Sequence, residues 1–168
     1  RLDQDNPRIH GGPPRAYKVS YNRPLETRHY RAVNTVFACE YPFVRWLEAN
    51  GYDVSYYTGV DSARRGDQIL NHRLFLSVGH DEYWSLEQRQ HVETARGAGV
   101  NLAFFSGNEV FWKVRWEDAI DGSGTPHRTM VTYKETHAGA KIDPVADVWT
   151  GTWRDSRPFN PEGAQPEN

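Results

Sequence analysis

The side chains best suited to chemistry are His80, Asp81 and Glu82, which follow the apolar run Leu74-Phe75-Leu76-Ser77-Val78 and precede a helix-start signal at Ser85. In a parallel α/β sheet ligands bind outside the carboxyl ends of the strands. An imidazole and a carboxylate two residues apart at such an end can therefore converge on one metal ion or one substrate. A second strand end carries Ser106-Gly107-Asn108-Glu109 after Leu102-Ala103-Phe104-Phe105. Glycine lets backbone approach a ligand, and the Asn108 amide both donates and accepts, which suits an amide-like substrate. The spacing predicts one crevice shared by His80, Glu82 and Asn108.

Each of these residues also has a plainer role open to it. Glu82 can cap the following helix, and His80 can be a satisfied polar group at a strand end. Glu109 reads as a first-turn carboxylate rather than a catalyst, and Tyr83 and Trp84 as packing in the floor or wall of the cleft. A tyrosinate at Tyr83 is still chemically able to ligate ferric iron, because the metal lowers the phenol's pKa. Cys39, within Phe37-Ala38-Cys39, reads as a small buried hydrophobe rather than a nucleophile. A histidine-plus-glutamate pair alone would serve zinc or manganese as well as iron. There is no glycine-rich phosphate loop, Gly-x-Ser-x-Gly elbow or Cys-x-x-Cys, so nucleotide-cofactor and serine-hydrolase readings have no support.

The elements that must position these groups follow from periodicity. Tyr17–Tyr21 alternates as a strand closed by Asn22-Arg23-Pro24, and Val36, Phe37, Phe43, Val44 and Leu47 recur at helical spacing over Thr35–Asn50, with Gly51 as a C-cap signal. Then come a strand at Tyr52–Thr58, a short polar helix at Ser62–Leu70, and the strand Leu74–Val78. A helix at Ser85–Gly97 with Ser85 as N-cap and Glu87 in its first turn leads to the strand Val100–Phe105. Val110–Val114 reads as a helix or extended aromatic segment, and Thr129–Glu135 and Val148–Trp153 as further strands. The alternation predicts an α/β fold with an open, mostly parallel sheet and helices on both faces.

The 168 residues fit one domain, with 1–15 and 154–168 irregular. The start without methionine and the loop interrupted at Pro166-Glu167-Asn168 predict a fragment of a larger chain. A net charge of −2 with interspersed signs offers no basic stripe for nucleic acid, and no apolar run approaches the roughly 20 residues of a membrane span. One cysteine excludes an internal disulfide and leaves the compartment open.

Taken together, Val19-Ser20-Tyr21-Asn22-Arg23-Pro24, the run Arg45 to Val54, Gly79-His80-Asp81-Glu82-Tyr83-Trp84 and Gly107-Asn108-Glu109 resemble the C-terminal domain of the N,N-dimethylformamidase large-subunit family. The resemblance spans Tyr17 to Trp153. It implies a glutamine-amidotransferase-like, flavodoxin-like three-layer fold, and a mononuclear ferric iron held by two tyrosines and a glutamate. It places that glutamate on Glu82, with His80 and Asn108 lining the site; Tyr21 stands in for a tyrosine ligand. The family's catalytic carboxylate matches no residue here and is expected beyond Asn168. The function so implied is iron-assisted hydrolysis of a small-molecule amide, with a homo-oligomer or a small second subunit as partner. A non-catalytic ligand-binding or scaffold domain of a larger, exported protein is the alternative.

Overall fold

A computed structural model describes residues 16–24, 36–156 and 160. In chain order the elements are β1 (Lys18–Ser20), a π-helical turn (Val36–Glu40), α1 (Tyr41–Ala49), α2 (Gly59–Arg65), a 3-10 turn (Gly66–Asn71), β2 (Leu74–His80), β3 (Tyr83–Ser85), α3 (Leu86–Gly97), β4 (Asn101–Gly107), β5 (Trp112–Glu117), β6 (Thr129–Val131) and α4 (Glu135–Ala138). Contacts divide them into a middle unit, Pro24–Phe111, and a terminal unit built from Arg1–Arg23 and Trp112–Asn168.

In the middle unit, β2 and β4 pair in parallel, from Leu74 opposite Asn101 to His80 opposite Gly107. The connection between them carries α3, whose start is fixed by the Ser85 hydroxyl accepting the Gln88 N–H at 3.3 Å. Glu87 in its first turn and Arg96 in its last suit the helix dipole. Trp84, almost fully buried, sits against Phe75 of β2 and Phe104 of β4, with ring centroids 6.3 and 6.4 Å away. α2 packs on α3, and His91 Nδ1 lies 2.9 Å from the Ser62 carbonyl. A Cβ at Gly66 would stand 2.4 Å from His91, so the close approach needs glycine there.

Tyr52–Thr58 forms no strand. Its polar Asp53 and Ser55 break the continuous apolar run that a strand buried on both faces requires. Its end is committed elsewhere, because Thr58 and Asp61 form a capping box, each side chain accepting the other's N–H at 3.2 Å. The polar helix consequently begins at Gly59 rather than Ser62.

In the terminal unit, β6 pairs antiparallel with both β1 and β5. The open, mostly parallel sheet is thus corrected: the fold is α/β with both parallel and antiparallel strand pairs. β5 and β6 are joined by a turn-rich segment without a helix, and a parallel connection needs a crossover. The expected strand Thr129–Glu135 stops at Val131, since the chain turns left-handed at Lys134 (φ 48°) to enter α4. Val148–Trp153 contributes only an isolated bridge between Thr152 and Trp112. Its backbone donors go to side chains instead, Thr150 N–H to Glu135 at 2.7 Å and Thr152 N–H to Thr136 at 2.8 Å. The aromatic segment Val110–Val114 becomes the start of β5. The expected irregular stretch 1–15, the helix start at Thr35, and 157–159 and 161–168 lie outside the described residues.

Candidate functional site

Parallel pairing puts the carboxyl ends of β2 and β4 on one edge. There His80 Nε2 stands 3.1 Å from Glu82 Oε2. The His80 side chain is 29% exposed and that of Glu82 8%, so the imidazole covers a buried carboxylate. The ring lies across the neighbouring strand, its Nδ1 3.5 Å from where a Cβ on Gly107 would be. Asn108 follows directly, exposed and left-handed at φ 55°. The two segments are tied by backbone, Val110 N–H donating to Asp81 O (3.2 Å) and Phe111 N–H to Glu82 O (3.1 Å). Val110 has φ 49°, where a β-branched residue is strained, so these bonds hold the turn in a shape it would not adopt alone.

Of the residues expected from sequence, His80, Glu82 and Asn108 belong to this edge. Tyr21 belongs to the terminal unit, its ring stacked on Trp116 with centroids 5.9 Å apart. Cys39 is half-buried in the π-helical turn.

Sequence reasoning missed the groups behind the edge. The Ser77 hydroxyl donates to Asp81 at 2.8 Å, Ser106 donates to Glu109 at 2.9 Å, and the two hydroxyl oxygens lie 3.2 Å apart. A serine inside each apolar strand, followed three or four positions on by a carboxylate, was the available signal. Glu40 gave none: it reaches the edge because Gly79 (φ 92°) lets the turn pack down, and a Cβ at Gly79 would lie 3.1 Å from Glu40 Cγ. Burial raises the Asp81 carboxyl above its ordinary value; the Ser77 hydrogen bond opposes this and the Glu109 charge adds to it. Burial, then the Asp81 charge, raises Glu40 likewise. The edge is therefore rich in carboxyl groups that are not all ionised easily.

A ferric ion needs more donors than one carboxylate and one imidazole. Among the described residues no three His, Cys, Asp or Glu side chains stand together as a ligand set, and Glu82 is already engaged by His80. The described residues on their own thus do not fit a complete iron site. No helix among them is long and apolar enough to cross a membrane.

The family profile described as N,N-dimethylformamidase beta subunit-like, C-terminal, matches residues 3–168. No curated protein matches the chain. With the match running essentially end to end, the chain belongs to that family.

Proposed function

We propose that this family member supplies the substrate-orienting part of a hydrolase that cleaves the C–N bond of a small-molecule amide. The observation that supports the reading most is the His80–Glu82 pair beside Asn108 at the joint carboxyl ends of β2 and β4. With Nε2–H donated to Glu82, the lone pair of His80 falls on Nδ1, where it can take a proton from water. Asn108, exposed on its strained turn, would donate to the amide carbonyl and accept from an amide N–H. No thiol stands at the end of β4, and the Ser106 hydroxyl within it is engaged by Glu109 at 2.9 Å, so water is assigned as the attacking group.

Ferric iron enters the proposal through the family alone, with Glu82 as its carboxylate donor; no step is assigned to it, since the described residues do not complete its ligand set. The three-layer, glutamine-amidotransferase-like arrangement is likewise proposed, supported by the parallel β2–α3–β4 unit. Because the family description names a beta subunit, the partner proposed is another subunit of the same enzyme.

The burial of Glu82 under His80 favours the rival, a non-catalytic binding domain. An assay of the full-length protein with its partner subunit separates the two, using N-alkyl formamides as substrates. His80→Gln and Asn108→Ala are expected to lower kcat/KM by about 10²-fold or more while the fold persists. Unchanged hydrolysis in both variants, or an inactive and metal-free parent, sinks the enzyme reading.

A further inference from the structure

The terminal unit holds a cluster that the amide-hydrolase reading does not use. Trp116 Nε1 and His127 Nδ1 are both buried and both lack a hydrogen-bond partner. They belong to rings 6.4 Å apart, Trp116 on β5 and His127 just before β6. An indole N–H can only donate, so leaving it without an acceptor costs free energy comparable to a lost hydrogen bond. His127 is also held left-handed at φ 57°, a conformation that the surrounding structure must maintain.

The next residue supplies a charge. The Arg128 guanidinium lies over the Tyr21 ring, 5.7 Å from its centroid, and its donors go to the neutral Asn22 amide oxygen at 2.6 and 3.1 Å. Among the described residues Arg128 has no ion pair. Tyr21 stacks on Trp116 and is 41% exposed, forming the outer wall of the cluster. An obligate N–H donor and a histidine nitrogen able to donate thus lack an acceptor on neighbouring rings, and a guanidinium without an ion pair follows His127 in the chain; the carboxylate of its network, Asp121, accepts from Asn22 Nδ2 at 3.0 Å instead.

We propose that this cluster is a binding site for a small carboxylate, whose oxygens would accept from Trp116 Nε1 and His127 Nδ1 against the positive charge of Arg128, with Tyr21 moving aside to admit it. A carboxylate is favoured over a phosphate because Glu117, Asp118 and Asp121 lie on the same strand and turn and repel a dianion more strongly. Guanidinium and indole donors also match two oxygens in one plane.

The test follows the six tryptophan indole N–H resonances of the intact chain by ¹H–¹⁵N NMR during titration with sodium acetate, with sodium chloride at matched ionic strength as control. Trp116→Phe, which keeps an aromatic ring and removes the donor, assigns the resonance; if it fails to fold, His127→Ala identifies it by the loss of the neighbouring ring. The expected result is a saturable shift of the Trp116 signal with acetate alone. Arg128→Gln should weaken binding about tenfold, the worth of one charge-assisted contact. A Trp116 resonance that ignores acetate, or moves equally with chloride, overturns the site and leaves a trapped water as the partner of both nitrogens. Saturation by inorganic phosphate but not acetate overturns the carboxylate assignment. None of these outcomes depends on amide hydrolysis.

Discussion

Both units bury carboxylates, and they treat them oppositely. In the terminal unit Glu135 is fully buried and accepts from the backbone N–H groups of Ile142, Asp143 and Thr150 at 2.6, 2.8 and 2.7 Å, with Lys141 3.2 Å away. Asp143 beside it takes a two-pronged contact from Arg115 at 2.9 and 3.0 Å. Burial works to raise the Asp143 carboxyl, but Arg115 and the Val145 N–H outweigh it and hold the group below its ordinary value. At the β2–β4 edge burial raises the Asp81 carboxyl and prevails over the Ser77 and Trp84 hydrogen bonds and the His80 charge, with the Glu109 charge adding to it. Burial alone therefore does not mark a working site; what distinguishes the edge is how little fixed positive polarity its carboxylates are given.

The largest expected effect tests the closed side of this comparison. Glu135→Ala strands three backbone donors and Lys141 together, so denaturant unfolding should register a loss of about 3–5 kcal/mol. A loss under about 1 kcal/mol would mean that the network carries no structural weight and the contrast is false.

Lys134, also in the terminal unit, tests the comparison through pH. Burial lowers its amine to about 7, and its Nζ lies 4.4 Å from the centre of the Trp112 ring. The native state binds that proton less tightly than the unfolded chain does. Stability is therefore lost as pH falls from about 10 toward about 7, and is not recovered below. Lys134→Met keeps the aliphatic contact with Trp112 and removes the titrating amine. It should flatten the alkaline slope of unfolding free energy against pH; a variant that keeps the slope assigns it to another group.

How far the sequence revealed these arrangements depends on how local their causes are. β2, α3 and β4 were legible because an unbroken apolar run and a serine N-cap act within a few residues. The proximity of His80 and Glu82 followed from strand-end position. The Glu135 network was not legible, as its donors come from Ile142 and Thr150, seven and fifteen positions on. Glu40 was equally hidden, since only the approach of its turn to Gly79 brings it to the edge. Tyr52–Thr58 misled because alternation describes a strand facing water, whereas the pairing it was assigned needs apolar residues on both faces.

Asp81→Asn sharpens the open side. A carboxyl raised by folding contributes stability that is full below its unfolded pKa, about 3.9, and is lost as pH rises through the folded value. The amide can still accept from Ser77 and has no charge to bury. Unfolding free energies measured at several pH values should show wild type losing ground to the variant as pH rises from about 4, ending level or about 1 kcal/mol behind it at neutrality. A variant clearly less stable at neutral pH would place Asp81 with the closed carboxylates.

The smallest effect comes from matched hydroxyls, one in each unit. Thr150 Oγ1 accepts from the Tyr133 N–H at 3.1 Å and donates to Asp143 at 3.0 Å in a fully buried setting. Its loss leaves a backbone donor and a carboxylate oxygen short where no water reaches, so Thr150→Ala should cost about 1–3 kcal/mol. Ser106 Oγ donates to Glu109 at 2.9 Å, but Glu109 is only half-buried and Ser77 retains its bond to Asp81. Water can take over the lost contact, and Ser106→Ala should cost less than about 1 kcal/mol. The two losses, read from one set of denaturant midpoints, rank the rigidity of the two regions directly. Should Ser106→Ala prove as costly as Thr150→Ala, the serine bridge between β2 and β4 would be as tightly built as the Glu135 network, and the edge could not be described as a set of loosely held carboxylates.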